Sequence, residues 1–169
     1  MMILREPQAS DEVVLRLAHE EVLQDGMNFL LDGFSQDLDF ETYLQNVVNT
    51  RNGKNLSPDR VRARFLVACV GDEIVGRISI RFSLNEWLSK FGGHIGYAVR
   101  PSFRRKGFAS EILRLGLEVA KRSQLERVLI TCLDENKGSI RVIEKNGGVL
   151  ESKVVDQGKL LRRYWIDLS

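Results

Sequence analysis

A chain of 169 residues is long enough to bury a continuous core and is expected to form one domain over residues 1–169. Its 43% hydrophobic and 28% charged content excludes a disordered chain, and a formal net charge of +2 is too small to argue for nucleic acid. The two cysteines, Cys69 and Cys132, are far apart and show no metal-ligand spacing. There is no signal-like start and no run of about 18 apolar residues, so a soluble, cytoplasmic protein with no metal and no membrane partner is expected.

Met2–Glu6 reads as a short strand. From Asp11, a candidate N-cap, Val14, Leu15, Leu17, Ala18 and Val22 recur at helical spacing as far as Leu23, with His19 expected at the surface. Asp25–Asp39 is a loop, Phe40–Thr50 a second helix, and RNGKNLSP (51–58) a turn-rich connector. Arg64–Val70 and Ile74–Phe82 form a hairpin around Gly71-Asp72-Glu73, Leu84–Lys90 allows one helical turn, and His94–Val99 is a further strand. A long amphipathic helix spans Lys106–Ser123, followed by a strand at Arg127–Leu133 and a helix at Lys137–Asn146 that Gly147-Gly148 ends. Val149–Val155 and Lys159–Leu168 close the chain as a hairpin. The order β-α-α-β-β-β-α-β-α-β-β predicts an α/β (α+β) fold, a mixed sheet with helices packed on it.

The most informative segment is Val99–Ser110 (VRPSFRRKGFAS), where a strand ends in a basic, glycine-containing turn that opens directly into a helix. A helix start offers amides without intrahelical partners and the positive end of the dipole, both of which attract a diphosphate. Gly107 and the small Ala109 let those amides approach the oxygens, and Arg104, Arg105 and Lys106 add charge. The alternative is a solvated basic helix start in which Gly107 serves only the turn.

Arg104-x-x-Gly107-x-Ala109 resembles the (Q/R)-x-x-G-x-(G/A) motif of the GNAT superfamily of N-acetyltransferases, with Val99-Arg100-Pro101 standing as its V-x-P. Val128–Cys132 with Asn136, and Arg141–Gly147 (RVIEKNG), resemble its fifth strand and its L-Y-E-K-x-G helix end. The chain also resembles a group of predicted bacterial acetyltransferases. The resemblance implies a mostly antiparallel central sheet of about seven strands, helices on both faces, and splayed fourth and fifth strands. It implies acetyl-CoA as acyl donor and an amine as acceptor. The amides of Arg105, Lys106, Gly107, Phe108, Ala109 and Ser110 then bind pyrophosphate, and main-chain groups of Tyr97, Ala98 and Val99 pair with pantetheine. An amide near Ala98 or Val99 polarises the thioester carbonyl, and Asn136 and Ser139 contact the cofactor's arm and thiol. Many relatives pair as dimers, so a homodimer is an expectation.

The sequence departs from the family pattern where protons move. Ile143 stands at the usual Tyr and Gly93 at the usual strand Glu, so neither standard proton-transfer group is present. His94 is one substitute, as a base or else as a structural His beneath the sheet; Tyr97 is another, as a thiolate proton donor or else a packing residue. A nucleophilic Cys132 is the weaker alternative to a buried apolar one. The acceptor clues disagree in charge. Asp32, Asp37 and Asp39 beside Phe29 and Phe34 suit a cation, unless they are a solvated loop with core anchors; Arg162 and Arg163 suit an anion, and Asn85, Glu86 and Trp87 form another rim. Two rival functions remain: a non-catalytic acyl-CoA sensor, and an RNA-binding domain using Arg100–Lys106.

Overall fold

A computed structural model describes residues 1–169. The elements are β1 (Met2–Arg5), α1 (Glu12–Leu23), α2 (Phe40–Asn52), β2 (Ala63–Val70), β3 (Glu73–Arg81), β4 (Ile95–Val99), α3 (Phe108–Arg122), β5 (Arg127–Leu133), α4 (Lys137–Lys145), β6 (Val149–Asp156) and β7 (Lys159–Asp167). The expected order holds, and β5 carries the expected bounds. The seven strands do not form one continuous ladder. They split into two antiparallel sheets, β1-β2-β3-β4 and β5-β7-β6.

The split falls between β4 and β5, where one residue ties the sheets together. The His94 amide donates to Leu129 O at 2.7 Å, and the Leu129 amide donates to His94 Nδ1 at 2.9 Å. Beyond this clamp β4 pairs only with β3, so its other edge faces a gap. Gly93 makes the approach feasible: its φ is +68° and a Cβ there would stand 2.6 Å from Leu129 O. The place where the family pattern has a Glu therefore admits no side chain at all.

Strand alternation sends alternate residues of β3 to opposite faces. Ile78 and Ile80 join Ile95, Ile112, Leu113 and Ile130 in a core beneath α3 and α4. On the other face Phe65 and Val67 of β2 meet Leu15 and Val22 of α1 and Tyr43 and Val47 of α2. Arg77 is buried on that second face and donates to Phe29 O at 3.0 Å and Asn28 O at 2.6 Å, fixing the loop after α1.

Three local expectations are corrected. His19 is buried rather than superficial, because its Nδ1 accepts the Leu30 amide at 3.0 Å and so pins the same loop. Asp11 occupies the N-cap position of α1, but its side chain makes no bond to the helix; it accepts the Gln8 amide at 2.9 Å and pairs with Arg5 at 2.7 Å. The long helix starts at Phe108, not Lys106, because Arg105 (φ 61°) and Gly107 (φ 81°) are left-handed and cannot continue a right-handed helix. Caps set other boundaries. Asp39 accepts the Thr42 amide at 3.0 Å to start α2, and Asn136 accepts the Ser139 amide at 3.1 Å to start α4.

Candidate functional site

The Val99–Ser110 segment leaves β4 through a 3-10 turn at Pro101–Phe103 and enters α3 at Phe108. None of the amides of Arg105 through Ser110 donates to a protein acceptor. They sit at the positive end of a 15-residue helix, where left-handed Arg105 and Gly107 fold the backbone into a concave nest. A Cβ built on Gly107 would meet nothing within 4 Å, so the space in front of it is open. Such an array is suited to an anion.

The side chains around the nest share the work unequally. Arg100 is buried, paired with Glu21 at 2.9 Å and donating to Ile74 O at 2.9 Å, so it belongs to the core rather than to a basic patch. Arg104 donates through Nε to Val99 O at 3.1 Å and pairs with Asp25 at 2.7 Å. The Lys106 ammonium lies 5.6 Å above the Phe103 ring. Only Arg105 and Lys106 therefore remain in this stretch as surface cations without a carboxylate or carbonyl partner, which weighs against the rival RNA surface at Arg100–Lys106.

The nest opens into a cavity of about 500 Å³ in the gap between the two sheets. Every residue expected at the cofactor lines it except Lys106: Tyr97, Ala98 and Val99 from β4; Arg104, Arg105, Gly107, Phe108, Ala109 and Ser110 from the loop and helix start; Asn136 and Ser139 from the start of α4. Asp25, Met27, Phe103, Gly138 and Val142 complete the wall, and no motif in the sequence marked them. Arg81 N–H donates to His94 O and Arg100 N–H to Val75 O. By the alternation of an antiparallel ladder, Gly96 and Ala98 then turn their backbone groups onto β3. Tyr97 and Val99 turn theirs into the gap. Of the two amides considered for polarising a carbonyl, Val99's faces the cavity and Ala98's faces β3.

Tyr97 spans the gap. Its hydroxyl lies 2.6 Å from Ser139 Oγ, linking β4 to α4, and burial pushes its phenol up to about 12. It therefore keeps its proton throughout the neutral range.

A family model, the acetyltransferase (GNAT) domain, matches residues 2–149. The chain belongs to the GNAT acetyltransferase family. Its relatives include the uncharacterized N-acetyltransferase YnaD of Bacillus subtilis (strain 168), 41% identical over 61 residues, which are 34% of this chain and 36% of that protein. Another is the thialysine N-epsilon-acetyltransferase of Caenorhabditis elegans, 24% identical over 63% of this chain and 66% of that one. The matches thus span less than two thirds of each curated relative. Among solved structures, yncA of Salmonella typhimurium, solved with its cofactor acetyl-CoA, superposes with a TM-score of 0.66 at 16% identity, covering 99% of this chain and 94% of that one.

Within this GNAT domain, Ile143, at the usual Tyr position, is fully buried. His94 lies outside the cavity wall, at the clamp. With Nδ1 accepting the Leu129 amide, the neutral ring carries its proton on Nε2 and has no free lone pair for a substrate. Burial, reinforced by nearby Arg81 and Arg127, pushes its pKa down to about 4. This is the geometry of the structural alternative, and it removes the basis for treating His94 as the base. Cys132 is buried and its thiol is pushed up to about 11 by burial, so it is not a thiolate at neutral pH.

A second cavity, of about 470 Å³, lies on the face of β3 toward the loop after α1. It shares no wall residue with the first, but the two walls are neighbours in the chain and sheet: Asn28 follows Met27, and Ser79 pairs with Gly96, next to Tyr97. Most charges proposed for an acceptor are already matched. Asp32 pairs with Arg60 at 2.9 Å, Asp39 caps α2, Arg162 pairs with Asp134 at 2.6 Å and Arg163 with Glu151 at 2.6 Å. Phe29 is in the core, whereas Phe34 and Trp87 line the cavity. Asn85 accepts the Leu88 amide and donates to Asp59 O, a turn-holding role. No group of three or more His, Cys, Asp or Glu is arranged to hold a metal ion, and no helix is long and apolar enough to cross a membrane.

Proposed function

We propose that residues 1–169 act as one domain, an N-acetyltransferase that moves an acetyl group from acetyl-CoA to an amine within a ternary complex. The observation that carries the reading is the run of unpartnered amides from Arg105 to Ser110 at the mouth of the cavity between β4 and α4. The residues fit this donor. The nest offers amides in an anion-sized curve, the open space at Gly107 accommodates phosphate oxygens, and the free edge of β4 presents Tyr97 and Val99 backbone groups to an extended arm. Acetyl-CoA supplies an acetyl group already activated as a thioester. The chain's own residues position it and manage charge. The Val99 amide polarises the carbonyl, and Tyr97, held by Ser139, donates a proton to the departing sulfur. Asn136 orders the cavity wall by capping α4. With no side chain at Gly93 and none free at His94, the amine loses its proton to solvent. Alignment and polarisation then supply most of the acceleration.

Two measurements test this. Isothermal titration of CoA into the folded protein is expected to show saturable binding at one site; a flat titration would contradict the donor assignment. A screen of amines with acetyl-CoA, read by thiol release, separates an enzyme from the sensor that Gly93 and Ile143 suggest. Turnover with any amine excludes the sensor.

A further inference from the structure

We propose that the acceptor is a small amine that also carries a carboxylate, of the amino-acid class, and that Arg81 is the residue that grips this carboxylate. The inference rests on the donor site assigned above and extends it into the second cavity.

Of the four charged side chains that line that cavity, Asp32 and Arg60 pair with each other, Asp59 and Arg81 have no salt-bridge partner, and Arg81 is the one cation left over. Arg77 spends its Nε and Nη2 on the Phe29 and Asn28 carbonyls, Asp32 and Arg60 satisfy each other, and Asp39 is a helix cap. Arg81 donates only through Nη1, to Gly92 O at 3.3 Å and Gly93 O at 3.0 Å. Its Nε and Nη2 have no protein acceptor and are not sealed from solvent, and the residue lines the cavity wall. A partly buried guanidinium held by two carbonyls, with no carboxylate partner, presents a fixed fork to whatever enters. Burial, with Arg60 nearby, works against its charge, and a bound carboxylate would relieve that cost.

Spacing agrees with the assignment. Arg81 stands opposite His94 and Ser79 opposite Gly96, so Arg81 lies two residues, about 7 Å, along its face of β3 from the Gly96 end of the donor strand. An amine placed at that end and a carboxylate returned to the Arg81 fork match one small molecule bearing both groups. Trp87, 54% exposed on the rim, offers a flat apolar surface for its side chain. A polyamine would find Asp59 on the wall but would bring like charge to Arg81 and leave its fork empty.

The test compares each protein amino acid with its own carboxamide and its decarboxylated amine, using acetyl-CoA and thiol release. Wild type, Arg81→Gln and Arg81→Lys are assayed, with CoA affinity titrated in parallel. At least one amino acid is expected to exceed its carboxamide by roughly 10- to 100-fold in kcat/KM, as for a lost hydrogen-bonded ion pair. That ratio should fall near one in Arg81→Gln and be partly kept in Arg81→Lys, with CoA affinity unchanged. A merely structural Arg81 would lower all acceptors together and preserve the ratio, overturning the inference. So would CoA binding without preference for any carboxylate-bearing amine. Failure of folded wild type to bind CoA would instead overturn the donor assignment, and this inference with it.

Discussion

The donor cavity and the cavity beside Arg81 are built from different materials. The donor cavity is mostly backbone: consecutive amides, a left-handed glycine and the unpaired edge of one strand. The second cavity is side chains from the loop after α1, Asp59, Arg60, Ser79, Arg81 and Trp87, with Asp32 and Arg60 paired and Asp59 and Arg81 without a salt-bridge partner. A backbone site requires only that residues be small and ordered in a row, so it reappears wherever the fold does. A side-chain site can be rewritten residue by residue without disturbing the fold. The contrast accounts for a strong family match beside an acceptor that no motif names.

The sharpest way to break the contrast is Gly107→Glu. It forces a β-carbon into a φ of 81° and places a carboxylate where phosphate belongs, so CoA affinity is expected to fall at least about 100-fold. Near-wild-type affinity by calorimetry would mean that the nest is not the phosphate site. Tyr97→Phe keeps the ring and removes the hydroxyl that meets Ser139. We expect kcat to drop roughly 10- to 100-fold with the KM for acetyl-CoA little changed, because a proton donor acts in the transition state. An unchanged kcat would return Tyr97 to a packing role.

His94→Ala bears on the clamp between the sheets. It strands the Leu129 amide and should cost about 1–3 kcal/mol in unfolding free energy, while folded protein still binds CoA. The pH dependence has a definite sign. His94 titrates near 4 when folded and near its ordinary 6.5 when unfolded, so between those values the unfolded chain holds the extra proton. Wild type should therefore lose stability as pH falls from about 6.5 toward 4, by on the order of 2 kcal/mol from this residue, and His94→Ala should lack that component. Denaturant midpoints across that range check it. Cys132→Ala is expected to do least, leaving kcat within about twofold, since a buried protonated thiol attacks nothing. A large loss of turnover with intact folding would revive the acyl-enzyme route.

Much of this was legible in the residues themselves. The apolar run of Arg127–Leu133 and the glycine pair Gly147-Gly148 placed β5 and the end of α4 almost to the residue, because a short apolar run and a left-handed stop are sequence properties. The donor loop was legible for the same reason. What stayed hidden depends on contacts between distant residues. Nothing local marks His19 as buried, because its partner is the amide of Leu30. The role of His94 is set by Leu129 across the gap, and the availability of Arg81 follows only once Arg60, Arg77, Arg162 and Arg163 are seen to be occupied. The missing Glu at Gly93 was visible as a departure, but its cause, the close approach of Leu129 O, was not.

The central claim is that backbone amides from Arg105 to Ser110 hold the donor. Titrating CoA into isotopically labelled protein and following amide resonances addresses it residue by residue. The largest shifts are expected at Arg105–Ser110, with further changes at Tyr97 and Val99 and little at Asn28–Phe34. Saturable CoA binding that leaves the Arg105–Ser110 amides unmoved would contradict the account.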